Sequence, residues 1–301
     1  IRSASKPVVV ALMGEELIAH AARLFRQSHI PDYRFPERAV SAMRVLTERA
    51  RQLAIPAEEI PKLDGVNPDI ARGILAKVEV GEAGFVESTV ATEVVRTYGI
   101  QTPPEIFAHS VHEVLKAADQ LNYPVALKIV SSDLPHKSEM GGVLLDLESP
   151  EQVVAGFESM MGAASQALGQ RKISGVVVQS MVSEGQDVIA GVVRDEQFGP
   201  LVMFGLGGVE VEALNDVAFA LAPLKRHEAE DMLDRTWAGR RLLGYRSLLP
   251  ADREAVLDVL LRLSQISIDL PQVAEIEVNP LRAQPGEGGA LALDVRLRLR
   301  G

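Results

Sequence analysis

The chain has 301 residues, 47% of them apolar and 24% charged, with a formal net charge of −10. Such a composition belongs to a globular protein with room for about two domains, and the acidic balance excludes a general affinity for nucleic acid or anionic membranes while permitting a local basic pocket. The absence of cysteine excludes disulfides, a thiol nucleophile and thiolate metal sites, and is compatible with a cytoplasmic location.

No apolar run approaches the roughly 18 residues that a bilayer requires, and no signal peptide is visible. The chain begins at Ile1 and enters a strand pattern almost at once, as expected of a piece of a longer polypeptide. Residues 7–13 (PVVVALM) read as a buried strand, followed by a helix from Glu15 to Gln27 and a short strand near Pro31–Arg34. Pro36 suits a helix start, and Ala39, Val40, Met43, Leu46, Ala50 and Leu53 follow at helical spacing on one face. Residues 1–53 are thus β-α-β-α, half of a doubly wound α/β domain. Residues 54–68, with three prolines and little periodicity, read as a linker.

From residue 69 to 301 the expected order is helices near 69–79, 86–98 and 110–121, strands 124–130 and 142–147, and helix 149–168. Strands 174–182, 187–193 and 200–204 follow, then a strand near 217–220 and helices near 226–234 and 251–269. Strands 273–278 and 290–297 close the chain. The short turn Asp195–Gly199 makes part of this sheet antiparallel, so the region reads as α+β.

Three segments carry the chemistry. In GPLVMFGLGGVEVEALNDV, the run Leu201–Phe204 enters a loop with Gly205, Gly207 and Gly208, followed by the acidic stretch Glu210–Asp216. Glycines let backbone approach a ligand, and bare N–H groups bind phosphate. In LKIVSSDLPHKSEMGGV, Lys128 lies within an apolar strand, and His136 sits in a loop beside Lys137 and before Gly141–Gly142. A buried lysine needs an anion; a nucleotide's phosphates would serve, although structural neighbours or an edge position would also account for it. A loop histidine can carry a phosphoryl group on a ring nitrogen, or can simply be solvated. His20, His29, His109, His112 and His227 have no such company and read as structural.

In EIEVNPL, Glu277 and Asn279 alternate on one strand face, with Glu275 as an ambiguous third member and Pro280 ending the strand. Asp294 stands in the apolar strand ALALDVR. Asn279 and Asp294, with phosphate oxygens and water, would complete an octahedral magnesium site; a hairpin with polar edges is the other reading. The backbone at Gln179, Ser180, Met181 and Val182 could bond an adenine edge and Asp187 could take ribose hydroxyls, or the segment could be a core strand and its turn.

These segments, in this order, resemble the nucleotide-binding half of the ADP-forming acyl-CoA (acetate–CoA) synthetases, relatives of succinyl-CoA synthetase. The resemblance covers nearly the whole chain. It implies an ATP-grasp domain over 69–301, preceded at 1–53 by the end of a flavodoxin-like α/β domain. It implies a ligase that joins a carboxylic acid to coenzyme A through an acyl phosphate and a phosphohistidine, coupled to ATP and ADP. By resemblance, Lys128 is the nucleotide lysine and His136 the phosphohistidine, steadied by Glu277. Gly205, Gly207 and Gly208 lie where phosphate is received, and Asn279 and Asp294 bind Mg2+. Asp187 stands where the family usually has Glu, and Thr92 where a lysine is expected. The coenzyme A-binding domain and the first catalytic histidine have no counterpart in these residues, so the implied partner is a coenzyme A-binding domain or subunit; a homo-oligomer is left open, with no nucleic acid and no membrane. An alternative implied by the same likeness is an inactive synthetase-like regulatory or scaffold module of a protein lysine acetyltransferase.

Overall fold

The computed structural model describes residues 4–14, 18–54, 58–81, 83–133, 137, 140–168, 173–207 and 216–300. Its contacts divide the chain into two units, Ile1–Glu59 and Ile60–Gly301. The division falls inside the proline-rich stretch read as a linker. Leu63 and Val66 of that stretch pack against the core of the second unit.

In the first unit, strand β1 spans only Val10–Ala11 and pairs in parallel with β2, Asp32–Tyr33. The run 7–13 is therefore mostly unpaired apolar chain: a two-stranded sheet offers each strand one neighbour, and pairing ends where the partner turns away. Helix α1 is Ala19–Gln27; residues 15–17 of the expected helix lie outside the described residues. Arg26 ties it to β2 through a two-pronged pair with Asp32, at 2.8 and 2.9 Å. Helix α2, Pro36–Ala54, starts at the expected proline. Its apolar stripe is only partly buried: Ala39 is buried, whereas Val40 and Leu53 are each 68% exposed. Helical spacing places residues on one face, but burial requires a surface to lie on, and two short strands do not supply one.

The second unit is built on two antiparallel sheets. One has the order β3-β6-β4-β5, made of β3 (Glu105–Ala108), β4 (Val125–Val130), β5 (Val143–Leu147) and β6 (Gly175–Ser180). Strand β3 is an addition to the sequence reading, which placed no element between the helices near 86–98 and 110–121; it begins directly after Pro103–Pro104. Helices α5 (Val111–Leu121) and α6 (Pro150–Leu168) cover this sheet, burying Val114, Val153, Phe157, Leu127, Ile129 and Val178. Ser110 caps α5 by accepting the Glu113 N–H.

The larger sheet has the order β11-β10-β7-β8-β9, with β12 also on β10. Its strands are β7 (Gln186–Asp195), β8 (Gly199–Leu206), β9 (Val217–Leu221), β10 (Val273–Ala283), β11 (Ala290–Ala292) and β12 (Val295–Leu299). Helices α3 (Pro68–Leu75), α4 (Ser88–Arg96), α7 (Arg226–Arg235), α8 (Trp237–Arg241) and α9 (Arg253–Asp269) complete the unit. The main core includes Tyr98, Phe204, Leu233, Leu260, Leu263, Ile276 and Leu297.

Three corrections to the sequence reading bear on function. Gly205 belongs to β8, paired with Ile189 and Val217, rather than to a loop. Pro280 does not end β10: the register shifts between Val278 and Leu281 and the strand continues to Ala283. A bulge accommodates a residue with no N–H to give to the ladder. The strand expected at 290–297 is broken into β11 and β12, which leaves Leu293 and Asp294 between them.

Tyr98 is fully buried, and its phenol is pushed well above the usual value of 10.0, first by burial and then by the Asp269 carboxylate. A raised folded-state pKa means stability that is complete below pH 10 and is lost as pH rises toward the folded value. Above pH 10 the wild type should lose up to about 1.4 kcal/mol per pH unit relative to Tyr98→Phe, measured as the difference between their unfolding free energies. Parallel curves for the two proteins would contradict this.

Candidate functional site

The site grows from β4, whose six residues are all buried. Lys128 is among them and is 8% exposed. Its Nζ donates to Gln179 Oε1 at 2.8 Å and to the Leu293 carbonyl at 2.6 Å. Gln179 lies on β6 opposite Ala126, and alternation puts it on the same face as Lys128. Gln179 Nε2 donates to Glu105 Oε2 at 3.1 Å, and Glu105 pairs with Arg96 at 3.3 Å. Burial pulls the Lys128 ammonium below the usual lysine range; Asp294 opposes this and Lys137 adds to it.

The Leu293 carbonyl brings the break between β11 and β12 against β4. Asp294 accepts the Asn279 N–H on its own carbonyl at 3.1 Å. Its carboxylate faces Lys137, with Nζ to Oδ1 at 3.4 Å. Asn279 Nδ2 donates to Glu277 Oε1 at 3.2 Å, and the same oxygen receives Arg296 Nη2 at 2.7 Å. Glu277 and Arg296 are directly opposite across β10 and β12, as are Glu275 and Arg298. A carboxylate only accepts, so Glu277 turns the amide nitrogen of Asn279 toward itself. The ambiguous Glu275 is held by Arg298 at 3.0 Å.

Further along β10, Arg282 faces Asp187 across the ladder and grips both its oxygens, at 2.7 and 2.8 Å. Arg282 also donates to the Val182 carbonyl, and Arg241 donates to the Asp187 carbonyl at 2.8 Å. The side chain expected to face ribose is thus anchored by an arginine. The backbone expected to read adenine is partly committed: Ser180 N–H goes to Pro104 at 3.0 Å and Met181 N–H to Pro124 at 3.4 Å. The role of Gln179 lies in its side chain, which the backbone-hinge reading did not include.

The glycines have a structural reason of their own. A Cβ at Gly205 would stand 2.5 Å from the Asp216 carbonyl, and one at Gly207 2.7 Å from the Val188 backbone. Close strand neighbours alone require glycine at both. Asp216 receives the Trp237 and Ala238 N–H groups, each at 2.7 Å, and so fixes α8. His136 and Gly208 lie outside the described residues.

Lys128, Gln179, Asn279, Asp294 and Glu277 therefore form one connected network, and β10 extends it to Asp187 and Val182. Glu105, Arg282 and Arg296 are members that the sequence reading did not include, and Lys137 entered it only as the neighbour of His136. Alternating acids on β10 and arginines on β12 were the available signal for Arg296.

The oxygens present suit magnesium. A carboxylate and an amide are hard ligands, and the Lys137 ammonium already marks the Asp294 carboxylate as a place for a cation. Among the described residues no three His, Cys, Asp or Glu side chains cluster to hold a metal. The remaining ligands would come from phosphate oxygens and water, as is usual for Mg2+.

A model of the ATP-grasp domain matches residues 79–299. The ADP-forming acetate–CoA ligase I of Archaeoglobus fulgidus is 39% identical over 98% of this chain and 42% of its own length. The chain thus spans less than half of that relative. The beta subunit of the ADP-forming acetate–CoA ligase I of Pyrococcus furiosus is 36% identical over 76% of this chain and 97% of the subunit. Among solved structures, acetyl-coenzyme A synthetase 1 of Candidatus Korarchaeum cryptofilum, in complex with coenzyme A and Ca-AMPCP, matches with a TM-score of 0.72 and 36% identity, covering 76% of this chain and all of that one. The same enzyme with coenzyme A and Mg-AMPPCP, its phosphohistidine segment pointing towards the nucleotide-binding site, matches with a TM-score of 0.64 at 34% identity and 76% and 100% coverage. This chain belongs to the family of ADP-forming acetate–CoA ligases and carries its ATP-grasp portion.

Proposed function

We propose that this chain binds ATP or ADP with Mg2+ and transfers the terminal phosphoryl group to and from His136, as the nucleotide half of a synthetase that joins an acid to coenzyme A. The observation that carries this reading is the Lys128 ammonium bonded to the Leu293 carbonyl, beside Asp294 and Asn279. It supports convergence of a cation and hard oxygen donors from distant segments on one place, as a triphosphate with a divalent ion requires.

Lys128 would meet the phosphates as a point charge. Asn279 and Asp294 would hold Mg2+, which when bound screens the phosphates' negative charge. A ring nitrogen of His136 attacks the γ-phosphorus of ATP, the N–P bond forms as the bond to the bridging oxygen breaks, and ADP leaves with that electron pair. The reverse step makes ATP. Glu277, whose Oε1 is held by Arg296 and Asn279, would accept an N–H from the phosphohistidine ring. Asp187 would take the ribose, residues 179–182 the base, and Gly205, Gly207 and Gly208 the backbone near the phosphates. Residues 1–53 would be the end of a flavodoxin-like domain. Coenzyme A and the acyl group would be bound mainly by a further domain or subunit.

Incubation with γ-labelled ATP and Mg2+ should leave acid-labile, base-stable label on the chain, and His136→Asn should lose it. Label that survives in His136→Asn, or no acid-labile label on wild type that binds ATP, would overturn the phosphoryl-transfer reading.

A further inference from the structure

Lys137 enters neither the metal set nor the phosphoryl chemistry above, yet it is 4% exposed and its ammonium faces Asp294 Oδ1 at 3.4 Å. Its backbone is pinned: the Lys137 carbonyl receives the Gly142 N–H at 2.7 Å and the Met140 N–H at 3.3 Å. A Cβ at Gly142 would stand 2.9 Å from that carbonyl and 2.7 Å from Ile129 Cγ2, so glycine is what lets this turn close on β4. The Asp294 side is held as firmly. Its carbonyl takes the Asn279 N–H, and the neighbouring Leu293 gives its N–H to Pro280 and accepts Lys128 on its carbonyl. Ammonium and carboxylate are thus presented to each other by two anchored backbones, 157 residues apart in the chain.

We propose that Lys137 is the internal counter-ion of Asp294: it neutralises this carboxylate until a divalent cation displaces it, and so sets how tightly the site takes the metal. The inference rests on the reading of Asp294 as a metal ligand. Asp294 is only partly buried whereas Lys137 is almost wholly so; a buried ammonium without an anion is costly, and the carboxylate supplies one in the place where a divalent cation is expected. A divalent ion approaching the same oxygens meets the repulsion of the ammonium until that side chain moves off. At about 5 Å, at the dielectric constant of water and low ionic strength, that repulsion amounts to ~10-fold in affinity.

The test is Mn2+ binding to the full chain without nucleotide, followed by electron paramagnetic resonance for wild type, Lys137→Met, Lys137→Arg and Asp294→Asn. At low ionic strength Lys137→Met should bind Mn2+ ~10-fold more tightly, Lys137→Arg should stay near wild type, and Asp294→Asn should bind more weakly. If Asp294→Asn weakens binding while Lys137→Met does not strengthen it, Lys137 is no competitor and the inference fails alone. If Asp294→Asn binds as wild type does, the metal reading fails and takes the inference with it. A second readout needs no variant: saturating Mn2+ should raise the acylation rate of the Lys137 amine, followed by mass spectrometry. An unchanged rate counts against displacement.

Discussion

Replacing Lys128 by methionine is expected to lower affinity for ADP and Mg2+ by at least ~100-fold while shifting the unfolding free energy by no more than about 2 kcal/mol. The two effects separate for a physical reason. Gln179 and Leu293 hold two of the three N–H groups of Lys128; a hydrogen bond from the third to a phosphate is worth about 1.5–3 kcal/mol, and the charge attracts the phosphates besides. In the folded chain the same ammonium is almost wholly buried, and its charge is disfavoured there chiefly by burial. An apolar side chain of similar length removes that cost. The Leu293 carbonyl is not orphaned, because Gln179 Nε2 already reaches it at 3.4 Å, and Asp294 keeps Lys137. Lys128→Arg should bind nucleotide no better than Lys128→Met, since a planar fork does not fit a slot shaped for a linear amine. Titration calorimetry with ADP and urea unfolding on the same samples measure both effects. Nucleotide affinity within threefold of wild type in Lys128→Met would show that this lysine is not a phosphate ligand.

Phe204→Ala should cost about 3–5 kcal/mol, enough to bring a typical domain close to unfolding. Phe204 lies in β8 opposite Ala190 and Ala218 and is fully buried in the main core, on a strand that packs against α9. Small cross-strand neighbours leave its ring to fill the space between sheet and helix, and packed surroundings close only partly over the void that alanine leaves. Phe219, across the next pair of the same ladder, is 46% exposed. Phe219→Ala should therefore cost less than about 1.5 kcal/mol, as a partly exposed ring has less transfer energy to lose. Urea denaturation of the two variants side by side is decisive. Equal midpoint shifts would mean that β8 does not face the core as described. Gly205 is the next residue of β8 and Gly207 lies just past its end, so under the proposed function the Phe204 variant should also weaken nucleotide binding.

Much of the element order was legible because periodicity is a local property. Helices α2, α5, α6 and α9 and strands β4 to β9 all stand within a few residues of their expected places, and β10 starts where expected. The misses share a cause. Strand β3 is four residues long and exists because β6 lies beside it. Helix α8 is five residues long and depends on the distant Asp216 for its first turn. The exposed stripe of α2 shows the converse, an amphipathic pattern that burial does not complete.

The site divides along the same line. Lys128 stood out because a cation in an apolar strand demands a partner, and Asn279 and Asp294 because polar residues interrupt apolar strands. The identity of each partner was not readable. Lys137 meets Asp294 across 157 residues and Arg282 meets Asp187 across 95. The inventory of lysine, histidine, glycines and hard oxygens, and the family to which their order belongs, were determined by the sequence alone, since both reside in short contiguous segments. Which oxygen faces which cation was decided by tertiary structure alone. Strand register and the break at Leu293–Asp294 set those pairs, and register follows from packing between segments that no local pattern connects.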